Sequence, residues 1–480
     1  MSKLQKNFIY NIMYQMLLIA LPLVTAPYVS RVLGVSGVGT YSYIYSIAYY
    51  FCLFGMLGIS NHGNRSIALK KNDSDSLSKT FSSIYIIQFI TTGIALIIYY
   101  IYIKYFFSGN KVIAYIDILY LVSYMLDINW FFWGLEEFKL TVTRNMIFKI
   151  LTAVLTFVLV KNPQDLWKYT LILAMGTLLS QMYLWGYLRR YIKRVKLNFK
   201  DIVQHIKPIF VLFIPVISYS IYKVMDKIML GSITDVIQVG LYENAEKIVG
   251  IPTGIITAFG TVMMPRISTL TAQDKSNEIE NYNKLSFKYF SLISFGMVFG
   301  LVGVSKVLPG VYFGKEFIKC GSLIAGLSFT LIFMTWANII RTQYLIPNQK
   351  DKPYVISTVI GAVINLIINF ILIPRFQAKG ALVGTLCAEF SVFIVQAFCV
   401  RKDFKVFKFL KSSIGFFASG LIMGGSVYYI GDRLGASVKT LLIQVCVGVV
   451  LYILLSSIYL VCTKDEFLCG MLKKMNVFNK

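Results

Sequence analysis

Residues 21–34 read LPLVTAPYVSRVLG, and they open a stretch that the chain uses twice. The first copy continues with VGTYSY at 38–43 and, after an apolar run, GISNHGNR at 58–65. The second copy reads IPVISYSIYKVMDKIMLG at 214–231, VGLYENAEK at 239–247 and MMPRIS at 263–268. In the first copy, Arg65 follows Tyr41 across the apolar run. Arg266 follows Tyr242 at the same spacing in the second. Such self-similarity predicts two related lobes of roughly six membrane spans each.

The composition is that of a polytopic membrane protein. The chain is 57% hydrophobic and only 14% charged, with a mean hydropathy of +0.67. Soluble proteins carry about 25% charged residues, so the excess apolar surface is expected to face lipid. At about 20 residues per span, the 480 residues predict an all-α fold with about fourteen transmembrane helices. Two of these helices, near the C-terminus, lie outside the internal repeat.

The formal net charge of +25 indicates topology and not a polyanion partner. When the predicted spans are threaded with the N-terminus inside, most of the 47 lysines and arginines fall on the inner side. This asymmetry follows the positive-inside rule and predicts a multi-pass membrane protein with both termini in the cytoplasm. Nucleic acid is therefore not expected as a partner.

The repeat and the loops between spans predict four segments. They are an N-terminal six-helix lobe at 1–191, a cytoplasmic linker at 192–207, a C-terminal six-helix lobe at 208–400, and two extra helices with a tail at 401–480. Apolar residues recur at intervals of three or four between Ile192 and Ile206, with basic residues between them. This pattern predicts an amphipathic helix on the inner membrane surface.

Charged residues inside the predicted spans form the candidate polar sites. Asp127 and Lys149 lie at similar depths, and we expect a structural ion pair because an isolated charge there costs at least ~2.5–3.5 kcal/mol. In the second copy six charges occupy two successive spans and are expected to lie near one another: Lys223, Asp226, Lys227, Glu243, Glu246 and Lys247. The two histidines, His62 and His205, are expected to lie far apart, and no metal site is predicted.

The chain resembles the polysaccharide repeat-unit flippases (Wzx-type) of the multidrug/oligosaccharidyl-lipid/polysaccharide exporter superfamily. The resemblance extends from about Met1 to Arg401. It rests on the order and spacing of the copy-one motifs, DINWFFWGLEEFK at 127–139, MDKIMLG, MMPRIS, and the helix pair at 360–389. It implies a two-lobed fold of fourteen helices, no catalysis and no cofactor. The implied partner is an oligosaccharide on undecaprenyl diphosphate, moved between leaflets of the lipid bilayer by alternating access. Other polysaccharide-assembly proteins are further candidate partners.

Such a substrate requires a cationic path for its pyrophosphate. Arginine suits this role because its fork binds phosphate bidentately and stays charged. The candidate path residues are Arg31, Arg65, Lys223, Lys227, Lys247 and Arg266. Arginines at inner helix ends are also common topology anchors, and both readings stay open. Asp226, Glu243 and Glu246 are the candidates if transport is coupled to H⁺ or Na⁺, although nearby lysines would also neutralise them.

The sequence leaves three alternative functions open. A lipid II flippase would share the fold and differ in substrate, whereas a drug or cation exporter is expected to favour acidic residues along its path. A membrane polysaccharide polymerase or transferase is disfavoured, because the loops are short and leave no catalytic domain outside the bilayer. Walker, Rossmann, HExxH and GxSxG patterns are absent from the sequence.

Overall fold

The computed structural model describes residues 3–273 and 275–463, and the described chain is helical with no β-strand. It folds as two compact units, Met1–Glu243 and Asn244–Lys480. The first unit contains α1 Lys3–Met56, α2 Ile59–Lys70, α3 Ser74–Tyr105, α4 Lys111–Ile116, α5 Ile118–Met125, α6 Asn129–Gly134, α7 Phe138–Leu159, α8 Leu166–Leu188, α9 Phe199–Ser220 and α10 Asp226–Ile233. A π-helical turn at Ile221–Met225 joins α9 to α10.

Helix α11, Val236–Ala272, crosses the boundary between the units. The second unit continues with α12 Ser276–Val304, α13 Leu308–Tyr312, α14 Cys320–Ser328, α15 Thr330–Ile340, α16 Asp351–Phe376, α17 Ala378–Val400, α18 Val406–Lys411, α19 Ile414–Leu434 and α20 Val438–Cys462. The predicted lobe boundaries, which follow the sequence repeat, stay a prediction, because the units record only which residues pack together.

The predicted all-α membrane fold is confirmed. Among the described residues, 13 helices are long and apolar enough to cross a membrane. One of them, Ala20–Lys70, is 51 residues long and takes in about half of the predicted span at 8–32 and all of the predicted span at 38–62, so about fourteen crossings fit the chain. No loop separates these two spans. Instead, α1 contains both spans and is kinked at Gly34. The φ of 69° and ψ of 177° at this residue are non-helical, and glycine adopts such a conformation without steric cost.

The first unit is organised around α1. This helix packs against α3, α5 and α7, and α2 packs against α3, α6 and α9. Trp130, Phe131 and Phe132 of α6 are fully buried, and they form one core cluster with Phe81 of α3. These residues belong to the DINWFFWGLEEFK motif, so its aromatic residues mainly fill the core, although Trp133 is partly exposed.

The predicted amphipathic linker helix is wrong in its first half. Residues 192–198 form no helix, and α9 begins only at Phe199. Asn198 and Asp201 form a reciprocal capping box, in which each side chain accepts a hydrogen bond from the other's backbone N–H. This cap starts the helix at Phe199, and the helix then runs without interruption through Pro208 and Pro215.

The second unit is built from two packed groups of helices. Helix α16 packs along α17, and α15 also packs against α17. Helix α12 packs along α19, which contacts α20. Phe287 of α12, Ile340 of α15 and Phe393 of α17 share one buried core with Phe404 and Phe409. Helices α19 and α20 are therefore packed against α12 within the second unit.

Candidate substrate-path site

The two copies of the repeat meet where α1 packs against the first turns of α11. A Cβ atom at Gly39 would overlap the carbonyl oxygen of Val236, and one at Gly240 would overlap the carbonyl oxygen of Val35. The contact is reciprocal, since Val35 and Gly39 occupy the same positions in the first copy that Val236 and Gly240 occupy in the second. Small residues let helix backbones approach closely in this way. The repeat found in the sequence therefore corresponds to a close helix–helix contact in the first unit.

A polar cluster adjoins this contact. Oε2 of Glu243 accepts hydrogen bonds from Oγ of Ser42 and from Nζ of Lys227, each at 2.8 Å. The Lys227 and Glu243 side chains are only 16% and 18% exposed. Such an ion pair replaces most of the lost hydration of each charge by the other charge. Ser42 and Glu243 hold equivalent positions in the two copies, so the cluster joins the same helices as the glycines.

A second acid of this region is satisfied by a tyrosine. Asp226 is buried, and its Oδ2 accepts a hydrogen bond of 2.8 Å from the hydroxyl of Tyr242. Asp226 follows the π-helical turn Ile221–Met225, which carries Lys223 over the ring of Tyr222 at 5.8 Å. π-Helical turns often mark functional sites, because they rotate the following residues relative to a regular helix.

The other predicted path residues lie in more open surroundings. Arg31, Arg65 and Arg266 are exposed, and the Arg266 guanidinium lies 5.9 Å from the ring centre of Tyr282. In the second unit, Lys247 and Glu246 are half-buried, and Lys247 Nζ lies 3.4 Å from the side-chain oxygen of Asn244. The six predicted cations thus comprise three exposed arginines and three half-buried lysines.

The predicted ion pair between Asp127 and Lys149 is wrong, since no such pair exists among the described residues. Oδ1 of Asp127 accepts hydrogen bonds from the backbone N–H of Asn129 at 2.8 Å and from its side-chain amide at 2.6 Å. Asn129 in turn accepts from the buried guanidinium of Arg144 at 2.6 Å. Arg144 also donates to the carbonyl of Ser180 at 2.7 Å. A local amide and the Arg144 charge therefore satisfy the acid.

The two histidines are adjacent, contrary to the expectation that they lie far apart. Nε2 of His62 and Nδ1 of His205 are 2.8 Å from each other, and the hydroxyl of Ser66 lies 3.3 Å from His62 Nε2. Helices α2 and α9 bring them together across a long stretch of sequence. The hydrogen bond requires one of these two nitrogens to be unprotonated, so that it accepts the hydrogen bond that the N–H of the other ring donates. Within the part of the chain that the structure describes, no group of three or more metal-ligating side chains is present.

The second unit contains an apolar groove with a volume of ≈ 580 Å³. It lies between α12 and α20, with contributions from α19. Ile293, Val449 and Ile453 line it and are 41%, 53% and 58% exposed, so the groove opens to the outside of the unit. The hydroxyl of Tyr452 in its wall donates to the carbonyl of Leu292 at 2.6 Å and leaves the surface apolar.

Residues 4–271 match a protein family described as "Polysaccharide biosynthesis protein". The chain belongs to this family. It is 23% identical over 389 residues to a putative O-antigen transporter of Shigella dysenteriae, covering 79% of this chain and 96% of the relative. It is 24% identical to the capsular polysaccharide biosynthesis protein CapF of Staphylococcus aureus, covering 76% and 91%. A lipid II flippase MurJ structure in an inward closed conformation superposes with a TM-score of 0.74 at 17% identity, covering 96% of this chain and 99% of that one.

Membership of the polysaccharide biosynthesis protein family confirms the resemblance seen in the sequence, and the MurJ superposition confirms the fold. The site contains two buried polar residues that sequence reasoning missed, Asp117 and Arg144. Asp117 lies in the same predicted span as Asp127, and Arg144 lies in the same span as Lys149. Such intramembrane charges are functional or structural sites by default, and that rule would have singled them out.

Proposed function

We propose that the protein is a flippase that moves undecaprenyl-diphosphate-linked oligosaccharide units from the inner to the outer leaflet by alternating access. The observation that supports this most is the reciprocal contact of Gly39 with Val236 and of Gly240 with Val35, with the Ser42–Glu243–Lys227 cluster beside it. Hydrogen-bonded charges beside a close backbone contact give a junction that is held by a few specific bonds. Breaking those bonds would let the two copies separate and the path open.

The proposed headgroup path uses the exposed arginines. Arg65 and Arg266 hold equivalent positions in the two copies, and both guanidiniums are accessible to a phosphate. A guanidinium binds a pyrophosphate oxygen pair with two parallel hydrogen bonds, whereas a lysine offers a single point charge. Half-buried Lys223 and Lys247 would extend the positive path further along the spans. Several moderate sites suit transport, because the substrate must also be released.

The proposed tail site is the groove between α12 and α20. Its exposed apolar lining matches a polyprenyl chain, which would otherwise stay in the lipid beside the protein. A groove that opens sideways lets a lipid tail remain attached while the polar headgroup crosses. This feature favours a lipid-linked substrate over a free, soluble drug or cation.

A lipid II flippase is the second candidate, and the fold similarity to MurJ favours it. Both candidates bind a polyprenyl diphosphate and differ in the glycan. An enzyme is disfavoured, since the family relatives are described as transporters and biosynthesis proteins of polysaccharides and the loops are short. The proposed location is the bacterial inner (cytoplasmic) membrane, and the positive-inside asymmetry supports cytoplasmic termini.

The decisive experiment is a leaflet-exchange assay with the purified protein in liposomes. Three labelled substrates are compared: an oligosaccharide on undecaprenyl diphosphate, lipid II, and a fluorescent organic cation. We expect exchange of the oligosaccharide lipid to exceed that of the other two. Preferred exchange of lipid II would favour the second candidate, and transport of the cation alone would overturn the proposal.

The arginine pair provides a direct test of the headgroup path. We expect Arg65→Ala and Arg266→Ala each to reduce export of surface polysaccharide about tenfold while the protein still inserts, because each removes a bidentate phosphate contact worth ~1.5–3 kcal/mol. Arg65→Lys keeps the charge and the topology signal but loses the fork, so it should remain impaired. Export is measured in a strain that depends on this protein. Wild-type export by the double alanine variant would remove both residues from the path.

The tail site is tested by filling the groove. Gly300 lies in its wall, and a Cβ there would meet no atom within 4 Å, so Gly300→Leu adds bulk without disturbing the packing. We expect a several-fold weaker apparent affinity for substrates with a full-length polyprenyl tail and no change for short-tail analogues. Gly425→Leu is the matched control, since Gly425 also faces open space but does not line the groove. Equal behaviour of the two variants would exclude the groove as the tail site.

A further inference from the structure

Asp117 is buried in the first unit, and its carboxyl group has no partner. Its side chain is 0% exposed, and neither carboxyl oxygen has a hydrogen-bond partner. No ion pair in the described part of the chain involves it. Its backbone is satisfied, because its N–H donates to the carbonyl of Ile113 at 3.0 Å and its carbonyl accepts from Tyr120 at 2.9 Å. Only the side-chain carboxyl group of Asp117 therefore lacks hydrogen-bond partners.

The surroundings of Asp117 are apolar. The residue ends α4 and precedes α5, and its neighbours Ile113, Ala114 and Leu121 belong to a buried cluster with Ile44 of α1 and Ile103 of α3. The titratable groups that act on it electrostatically are Tyr41, Tyr45 and Cys52 of α1, Tyr99 of α3 and Tyr120 of α5. Helix α8 contributes Tyr169 to the same group, through its ring contact with Tyr41.

None of these groups offers a positive charge. Three of the hydroxyls already have other partners: those of Tyr41 and Tyr120 are 3.1 Å apart, and that of Tyr99 donates to the carbonyl of Ala114 at 3.2 Å. An ionised carboxylate without a cation or donor costs several kcal/mol in such an environment. The neutral acid avoids most of this cost.

We propose that Asp117 is a proton-binding site of the transport cycle, loaded as a neutral acid here and emptied to water when α1 moves. The inference rests on the proposed function and names its coupling ion. A sodium ion is disfavoured, because it requires several oxygen ligands and no second carboxylate or side-chain amide is among the groups identified around Asp117. In the release step the carboxyl O–H bond breaks and the proton passes to water, leaving the carboxylate.

The position of Asp117 supports such a step. It lies six residues from the start of α4, about 9 Å along the helix axis, at an end of the span predicted to face outward. Asp117 lies at the junction of two short helices, α4 and α5. Tyr41 and Tyr45 of α1 interact electrostatically with Asp117, and they flank Ser42 in the sequence. Because Ser42 bonds to Glu243, opening of that junction would also move the part of α1 that carries these tyrosines.

The protonation state is tested first, without substrate, by infrared spectroscopy of the purified protein. We expect wild type to show a protonated-carboxyl C=O band that persists from pH about 5 to about 9, where exposed carboxyls are ionised. The band should be missing from Asp117→Asn and retained in Asp75→Asn, which removes an exposed carboxylate. Identical bands in wild type and Asp117→Asn would overturn the proposal. Binding of ²²Na⁺ that is lost in Asp117→Asn would overturn it in favour of sodium.

The coupling is tested in liposomes with the oligosaccharide lipid. One pH unit across the membrane can support up to about tenfold accumulation for one proton exchanged per substrate. We expect this accumulation in wild type and none in Asp117→Asn, which mimics the permanently protonated acid and should fold. Asp117→Leu should behave in the same way if folding is retained. Exchange by Asp117→Asn that still responds to the gradient would overturn the coupling role. Failure of wild type to move the lipid at all would instead contradict the proposed function.

Discussion

Lys227→Met or Glu243→Gln alone is expected to reduce polysaccharide export by at least about tenfold. Each change leaves one side of a mostly buried ion pair without its partner, and breaking such pairs costs ~3–5 kcal/mol where burial is complete. The side chains retain 16% and 18% exposure, so we expect a cost towards the lower end. Ser42 donates to the same carboxylate oxygen, and Ser42→Ala should add a smaller loss.

The charge-swapped double variant Lys227→Glu/Glu243→Lys tests whether export requires the ion pair itself or only one of the two residues. If the pair itself holds the junction, the double variant should recover part of the export lost in Lys227→Glu alone. Lys405→Met is the matched control, since it breaks an ion pair with Glu280 in which both side chains are about half exposed. Export at the wild-type rate by both Lys227→Met and Glu243→Gln would exclude the ion pair from the mechanism.

Gly39→Leu and Gly240→Leu are expected to give the largest loss of folded protein. A side chain at either position must displace the backbone of the facing helix, whose carbonyl oxygen lies where the Cβ would be. Overpacking against flexible side chains costs about 1–3 kcal/mol, and a rigid backbone leaves less room for adjustment. Even Gly39→Ala should lower the unfolding midpoint in a detergent titration followed by size-exclusion chromatography.

Gly250→Ala and Gly93→Ala provide the comparison. Both glycines lie in long helices, and a Cβ at either meets nothing within 4 Å. Their alanine variants should be as stable as wild type or slightly more stable, because alanine favours the helix. If Gly39→Ala were equally well tolerated, the close contact between α1 and α11 would not be essential to the fold.

The sequence predicted those features that depend on periodicity and on internal similarity. Hydropathy predicted about fourteen spans, because lipid requires long apolar runs. The repeat predicted related segments around Gly39 and Gly240, and the structure places these segments against each other. The charges of the second copy were expected to cluster, and Lys227 does pair with Glu243.

Features that depend on long-range packing were not predictable. His62 and His205 are separated by 143 positions and meet only because α2 packs on α9. Asp127 and Lys149 have similar depths, but depth does not determine which helix face a side chain occupies, and Asn129 satisfies the acid locally. The interruption at Gly34 was not predictable either, because hydropathy does not register a single non-helical residue in a long apolar stretch.

Contacts that return from one helix to the other at matching positions are typical of the twofold seam of a homodimer. In a homodimer, one codon encodes the residue on both sides of such a seam. A mutation is therefore tolerated only if the new side chain fits on both sides at once. This chain carries its two sides as separate codons, at Gly39 and Gly240. Each side can therefore vary by itself, and the same holds for Ser42 and Glu243, whose positions match although their side chains no longer do. Separate codons therefore allow a hydrogen bond between two different side chains, Ser42 and Glu243, at equivalent positions of the two copies.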